Sequence, residues 1–130
     1  MISFTRLPSD ITEASPPLAP LGGPIDRAHL SRMTLGEKEL EREVLALFDR
    51  QAELLLARMR KAKEPAVVAA AAHTLKGSAR GIGAWRVANT AEALELAASG
   101  PAGAFRTALA KLDAAVAETK VAIAELLRAN

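Results

Sequence analysis

The sequence predicts an all-α protein, built as an antiparallel (up-down) four-helix bundle with a short N-terminal capping helix. Its 130 residues are half hydrophobic, and only four of them are aromatic. Alanine and leucine dominate while β-branched residues are scattered, a composition that favours helices over strands. Proline and glycine divide the chain into segments whose apolar residues recur at helical spacing. We therefore expect one helical domain over residues 25–130, preceded by an extended or disordered segment over residues 1–24.

The N-terminal half of the chain contains the predicted lead-in and two helices. Residues 1–24 hold five of the seven prolines and a Gly-Gly pair, so no core of their own is expected there. A short helix is predicted over about 26–33 and a long one over about 37–62, with Glu64-Pro65 as the break that follows. The stripe expected to be buried on the long helix consists of Leu40, Val44, Leu47, Phe48, Gln51, Leu55 and Met59.

The third predicted helix runs over about 65–80, because proline is well suited to a first helical turn. A tight turn is expected at Gly81-Ile82-Gly83. The fourth helix is predicted over about 84–99 and ends at Ser99-Gly100-Pro101. Its apolar face contains Val87, Ala91, Leu94 and Ala98.

The last helix is predicted over about 102–128 and closes the bundle. Its apolar residues fall within a narrow arc when they are projected at 100° per residue. They are Phe105, Leu109, Leu112, Val116, Ile123 and Leu127.

The third helix is the one that carries candidate functional residues. Its apolar side consists of Val68, Ala71, Ala72, Leu75, Ala79 and Ile82. His73, Lys76, Gly77 and Arg80 fall on the opposite side and are expected to face water. Glycine inside a helix costs roughly 1 kcal/mol relative to alanine. Because Gly77 lies one turn after His73, we interpret it as clearance for a large partner that approaches the histidine.

The segment from His73 to Gly77 reads H-x-L-K-G and is followed by small residues. It resembles the phosphoacceptor motif of histidine phosphotransfer (HPt) domains in bacterial multistep phosphorelays. The stretch Ala91–Glu95 is similar to the A-x-x-L-E pattern of that family, and the helix order over about 26–128 is similar as well. Arg80-Gly81 departs from the family, in which small or polar residues are more frequent at these positions.

The resemblance implies that His73 accepts a phosphoryl group from a receiver-domain aspartate of a hybrid histidine kinase and passes it to the receiver of a response regulator. A neutral imidazole is well populated near pH 7 and can act as the nucleophile without a neighbouring base. The phosphoryl group brings a charge of about −2, which Lys76 and Arg80 are expected to stabilise. Ala69 and Gly77 are assigned to close approach and docking.

The same resemblance implies a phosphocarrier without ATP-dependent kinase activity of its own. No cofactor is expected on this chain, and Mg²⁺ is expected on the partner receiver domain. His29, the other histidine, has no carboxylate or histidine at the spacing of a second metal ligand. We therefore expect no metal there and place His29 in the capping helix. Trp85 is interpreted as a packing anchor.

Two alternative functions are considered. The first is a non-catalytic helical adaptor that docks on receiver domains without phosphotransfer. The second is a dinucleotide site, since Gly77 to Gly83 also matches the G-x-x-x-G-x-G loop of short-chain dehydrogenases. That family's catalytic tyrosine has no counterpart in a chain without tyrosine, and no strand is predicted after Gly83.

Composition excludes further classes of function. The absence of cysteine excludes disulfides and thiolate catalysis and is compatible with a reducing compartment. A formal charge of +2 with few aromatic residues disfavours nucleic-acid binding. No apolar run approaches the roughly 20 residues that span a bilayer, and the N-terminus does not read as a secretory signal. We therefore expect a cytoplasmic protein. We also expect a monomer, because the four long helices can close one core without a partner.

Overall fold

A computed structural model of the chain describes residues 23–129, and every regular element in that range is an α-helix. The helices are α1 (Arg27–Met33), α2 (Lys38–Lys61), α3 (Pro65–Ile82), α4 (Trp85–Ala97) and α5 (Ala102–Ala129). The predicted all-α fold class is thus confirmed. The extended segment predicted for residues 1–24 lies outside the described residues, apart from its last two. No helix in the described range is both long and apolar enough to cross a membrane.

Contacts between side chains show that neighbouring long helices run in opposite directions. Arg42, near the start of α2, donates from Nη1 to the carbonyl of Leu127, near the end of α5, at 2.8 Å. Arg60, near the end of α2, pairs with Asp113 in the first half of α5. As residue numbers increase along α2, the residue numbers of their partners on α5 decrease. The two helices are therefore antiparallel. Short links give the same relation between α2 and α3, between α3 and α4, and between α4 and α5.

The four long helices enclose one hydrophobic core. Each contributes a leucine with no exposed surface, namely Leu45, Leu75, Leu94 and Leu112. Burial of such a side chain stabilises the fold by about 1.5–3 kcal/mol. The six apolar residues predicted for the inner side of α3 are all buried. On α5 the buried face matches the predicted one at Leu112, Val116 and Ile123. The other three predicted residues are only half-buried: Phe105, Leu109 and Leu127.

The stripe predicted to be buried on α2 is wrong in part. Leu47 is 57 % exposed, and Gln51 is half-buried. The core side of α2 instead contains Leu45, Ala52 and Leu56, together with the predicted Phe48, Leu55 and Met59. Because leucines occur on two sides of this helix, periodicity alone does not select the side that faces α3 and α5.

The α3–α4 link also differs from the sequence prediction. Helix α3 continues through Gly81 to Ile82, two residues beyond the predicted end, and Gly83 alone adopts a left-handed conformation with φ 79°. A Cβ atom on Gly83 would lie 2.9 Å from the carbonyl oxygen of Asp26, so both backbone angle and space require glycine there. The dinucleotide-loop interpretation is wrong, because Gly77 and Gly81 lie inside a helix and the described chain has no strand.

Helix α1 is held against this link by a small polar cluster. Asp26 caps α1 by accepting the His29 backbone N–H at Oδ1, and its Oδ2 accepts the indole N–H of Trp85, both at 3.0 Å. The imidazole Nε2 of His29 donates to the carbonyl of Arg80 at 2.9 Å, and its ring lies 4.9 Å from that of Trp85. These contacts place His29 in the capping helix and confirm Trp85 as a packing anchor.

Candidate functional site

The site is built on the middle of α3, where one side of the helix is buried and the other is open. Ala72 immediately precedes His73 and Leu75 follows it by two residues. Neither has any exposed surface, so they fix the helix against the core. The side chain of His73 points away from that core and is 67 % exposed. The exposed position predicted for His73 is confirmed.

A carboxylate on the neighbouring helix holds the imidazole by one nitrogen. Glu95 of α4 places Oε2 3.1 Å from Nδ1 of His73. An ionised carboxylate can only accept a hydrogen bond, so Nδ1 carries the proton and donates it to Glu95. In the neutral ring, the lone pair is then on Nε2. The arrangement leaves Nε2 as the nucleophilic atom of an exposed side chain.

Lys76 completes a three-residue network around Glu95. Its Nζ donates to Oε1 of Glu95 at 3.0 Å, while Oε2 serves His73. The hydrogen bond from Lys76 is the main cause that lowers the pKa of Glu95 below its ordinary value; the charges of Lys76 and His73 add to it, and desolvation opposes it. The carboxylate therefore stays ionised in mild acid.

The predicted exposure of Lys76 is wrong, since only 13 % of its side chain is exposed. Its aliphatic stem lies along the α3–α4 contact, and its ammonium group reaches the rim where Glu95 lies. Lys76 is therefore bound to a carboxylate in the structure and is not a free surface cation.

The remaining predicted site residues lie along the same helix. Arg80 is exposed, and within residues 23–129 no hydrogen bond or ion pair involves its guanidinium group. Ala69 is half-buried, and Gly77 is exposed. A Cβ atom on Gly77 would have no heavy atom within 4 Å, so no contact inside the chain requires glycine there.

Glu95 is the site residue that sequence reasoning did not assign. It occurs in the A-x-x-L-E pattern, but that pattern by itself gives no role to the carboxylate. The sequence feature that could predict the contact is the position of both residues relative to the α3–α4 link. His73 and Glu95 are equally far in sequence from Ala84. In an antiparallel helix pair with a tight link, such residues lie opposite each other. In the described part of the chain, no group of three or more His, Cys, Asp or Glu side chains is placed to hold a metal ion.

Comparisons with known proteins agree with this geometry. The Hpt domain family matches residues 38–129, which is more than half of the chain. A crystal structure of a rice protein named as a histidine-containing phosphotransfer protein superposes with a TM-score of 0.72 at 19 % identity, covering 82 % of this chain and 81 % of that chain. No curated protein matches the chain. The structural likeness shows the fold, and the family match shows that the chain belongs to the Hpt domain family.

Proposed function

We propose that the protein is a phosphorelay intermediate in which Nε2 of His73 accepts a phosphoryl group from a receiver-domain aspartate and passes it to the receiver of a response regulator. The hydrogen bond from Nδ1 of His73 to Glu95 carries this proposal. It holds the ring in the tautomer whose lone pair is on the exposed nitrogen. A histidine that served only as a solvated surface residue would not need a carboxylate to hold its tautomer.

The network stabilises the positive charge that the transfer step produces on the imidazole. The Nε2 lone pair forms the nitrogen–phosphorus bond while the bond between phosphorus and the aspartyl oxygen breaks, and the electron pair leaves with the aspartate carboxylate. Positive charge develops on the imidazole as this bond forms. The Glu95 carboxylate lies against Nδ1–H, where it stabilises that charge without taking the proton. Transfer to the second receiver is the reverse reaction.

The other site residues are proposed to support binding and charge. Lys76 keeps Glu95 ionised and oriented, and its ammonium adds positive charge near the phosphoryl group, which carries about −2. Arg80 lies two turns after His73, its guanidinium group makes no hydrogen bond or ion pair within residues 23–129, and it can contact the same group. Ala69 and Gly77 have no bulky side chain that would obstruct the imidazole, so a receiver active site can reach Nε2.

The remaining reaction components are proposed to come from the partner. The receiver supplies the aspartate and a Mg²⁺ ion that neutralises phosphoryl oxygens. The kinase domain that uses ATP belongs to a different protein or module. The cytoplasmic location and bacterial origin stay predictions of the sequence.

The test is phosphotransfer with His73→Gln, using receiver domains that have been phosphorylated by acetyl phosphate. We expect the wild-type chain to form an acid-labile, base-stable phosphoprotein and the variant to form none, with the helical circular dichroism of both unchanged. Phosphorus–nitrogen couplings in NMR spectra should assign the phosphate to Nε2.

The matched control is His29→Gln, which changes the other histidine and retains an amide donor toward the Arg80 carbonyl. It should transfer normally. Loss of transfer in His29→Gln with His73 intact would reject the assignment. A wild-type chain that binds receivers but is never phosphorylated would support the adaptor function instead.

A further inference from the structure

A groove lies between the C-terminal half of α5 and the start of α1. One wall is formed by Pro24, Ile25 and Arg27, and the other by Ala122, Glu125, Leu126 and Ala129. The four α5 residues recur at helical spacing and share one face of that helix. The cavity between the walls is about 330 Å³. We call it the α1–α5 groove.

The lining of the α1–α5 groove is mostly apolar. Alanine and leucine side chains of α5 face a proline and an isoleucine, so a complementary group is apolar as well. The two charged residues of the lining, Arg27 and Glu125, are exposed. Their aliphatic stems extend the walls while their charged ends reach the solvent. The groove is therefore suited to aliphatic side chains.

The groove lies at the point where the N-terminal segment joins the domain. Residues 1–22 precede the described residues, and the first wall residue, Pro24, follows them by two positions. Gly23 has a φ of 93°, which glycine adopts freely, and a bend follows at residues 24 and 25. The chain therefore changes direction at the groove.

The nearest part of that segment carries two leucines among prolines. Residues 16–21 read Pro-Pro-Leu-Ala-Pro-Leu. Proline-rich segments favour the polyproline II helix, which has about three residues per turn and a rise of about 3.1 Å per residue. In that conformation Leu18 and Leu21 lie on the same side, about 9 Å apart.

The two leucines match the groove in reach and in spacing. Leu21 lies three residues before Pro24, which allows a separation of up to about 10 Å, and Leu18 lies six residues before it, which allows about 20 Å. The α5 wall from Ala122 to Ala129 is about 10 Å long. A segment laid along α5 can therefore place one leucine near each end of the groove.

The volume of the groove favours a segment of the same chain over a separate partner. A cavity of about 150 Å³ holds one benzene-sized group, so a groove of about 330 Å³ holds two side chains of that order. A stable interface between proteins buries much more, about 800 Å² on each partner. A short tether raises the effective concentration of the segment to the millimolar range, so even a weak site is occupied.

We propose that Leu18 and Leu21 of the N-terminal segment dock in the α1–α5 groove, with the segment extended along the last turns of α5. This inference does not depend on phosphotransfer. The described lining of the groove includes no residue of α3, so the docked segment occupies a surface separate from that of His73.

The test is NMR spectroscopy of the full chain with labelled alanine and leucine methyl groups. We expect nuclear Overhauser effects between the methyl groups of Leu18 or Leu21 and those of Ala122 or Leu126. Their absence in the folded wild-type chain would overturn the proposal. Effects that arise only between labelled and unlabelled chains of a mixed sample would assign the groove to a second copy and would overturn it as well.

Two variants with matched controls test the energetic side of the contact. Leu21→Ser is compared with Leu7→Ser, which changes a leucine of the same segment far from the groove. Ala122→Arg is compared with Ala114→Arg, because Ala114 lines another cavity on α5, of about 310 Å³, on the side of α4.

We expect Leu21→Ser to lower the equilibrium constant of folding, measured by urea unfolding, by roughly three- to tenfold, because an aliphatic side chain loses its apolar contact. Ala122→Arg should abolish the effects between the segment and α5 while the helical circular dichroism stays unchanged. Its cost in folding should be smaller in the Leu21→Ser background than alone, because both changes break one contact. Each control should match wild type. Additive costs, or a larger loss in Leu7→Ser than in Leu21→Ser, would overturn the proposal.

Discussion

Glu95 accepts hydrogen bonds from two residues of α3, His73 and Lys76, and these two contacts respond differently to the proposed reaction. The contact with Lys76 joins an ammonium group to the carboxylate, and neither charge changes in the proposed phosphoryl transfer. The contact with His73 becomes stronger only when positive charge develops on the ring during transfer. An interaction that strengthens in the transition state accelerates the reaction, whereas one of constant strength does not. In the proposed transfer, Glu95 therefore acts on the reacting ring, and Lys76 acts mainly by holding Glu95.

Lys76→Ala tests that division of roles. Loss of the ammonium should slow transfer by roughly 5- to 30-fold and shorten the lifetime of phosphohistidine, since one charge-assisted contact is lost. It should also raise the pKa of Glu95 toward its ordinary value, because the Lys76 hydrogen bond is the main cause that lowers it. Quenched transfer kinetics and a ¹³C NMR titration of the carboxylate measure the two effects.

Lys120→Ala is the control for this prediction. Lys120 also pairs with a carboxylate, that of Asp49 on α2 at 2.6 Å, but on the far side of the bundle. Its loss should leave both transfer and the pKa of Glu95 unchanged. Wild-type kinetics in Lys76→Ala would remove Lys76 from the site, and complete inactivity would show a role beyond support of Glu95 and countercharge.

Gly77→Leu tests the interpretation of the glycine as clearance. The chain itself has room for the new side chain, because nothing lies within 4 Å of a Cβ at this position. Stability should be equal or higher by up to about 1 kcal/mol, since glycine is a poor helix former. Transfer from a phosphorylated receiver should fall strongly. Phosphorylation by phosphoramidate, a small donor that needs no docking, should not fall.

Gly103→Leu is the matched control, since Gly103 also lies in a helix, α5, with nothing within 4 Å of a Cβ. It should not affect transfer. Normal receiver transfer by Gly77→Leu would contradict the clearance interpretation, because the leucine would then stand beside the imidazole without obstructing the partner.

At the scale of the helices, α1 depends on Asp26 for its position. The hydrogen bond from Trp85 is the main cause that lowers the pKa of Asp26, and the His29 backbone N–H adds to it. Asp26→Ala removes both contacts, and the one with His29 is the N-cap of α1, so the free energy of unfolding should fall by about 0.5–2 kcal/mol near neutral pH.

The pH dependence of this contribution follows from the lowered pKa. The charged form of Asp26 binds better in the folded chain, so its stabilisation is present above the ordinary aspartate pKa of about 4. It is lost as the pH falls through the lower pKa of the folded state. The stability difference between wild type and Asp26→Ala, measured by urea unfolding, should therefore shrink in acid. Asp26→Asn retains an oxygen for the cap and should lie between them; an acid-independent difference would contradict the assignment.

The helices show where sequence reasoning succeeds. Starts and ends at proline and glycine were predicted within two residues, because these residues act locally on the backbone. Helix α3 also has one unambiguous apolar side, so its buried residues were all predicted. Helix α2 has leucines on two sides, and only its contacts with α3 and α5 determine that Leu47 is exposed and Leu45 is buried.

The site shows the same difference between local and non-local information. The exposure of His73 follows from the periodicity of one helix. The His73–Glu95 contact depends on the packing of α3 against α4, and the burial of Lys76 depends on the same interface. Neither is encoded in the local pattern around the histidine.

For the molecule as a whole, the closed core predicts a monomer. All four long helices bury a face within one chain, and the large exposed apolar residues in the described range are spread over several surfaces. They are Met33, Leu35, Leu47, Leu54, Val67, Leu96 and Val121. A stable protein–protein interface buries about 800 Å² on each partner around an apolar centre, which such dispersed residues do not supply.

Light scattering coupled to size exclusion should therefore give the mass of one chain at micromolar concentrations, at low and at high salt. Leu54→Ala should not change that mass. A stable dimer that Leu54→Ala dissociates would show that α2 pairs with a second copy, and the α2 flank of His73 would then be covered in the free protein. The monomer prediction would be wrong, and the second copy would compete with a receiver for the surface beside His73.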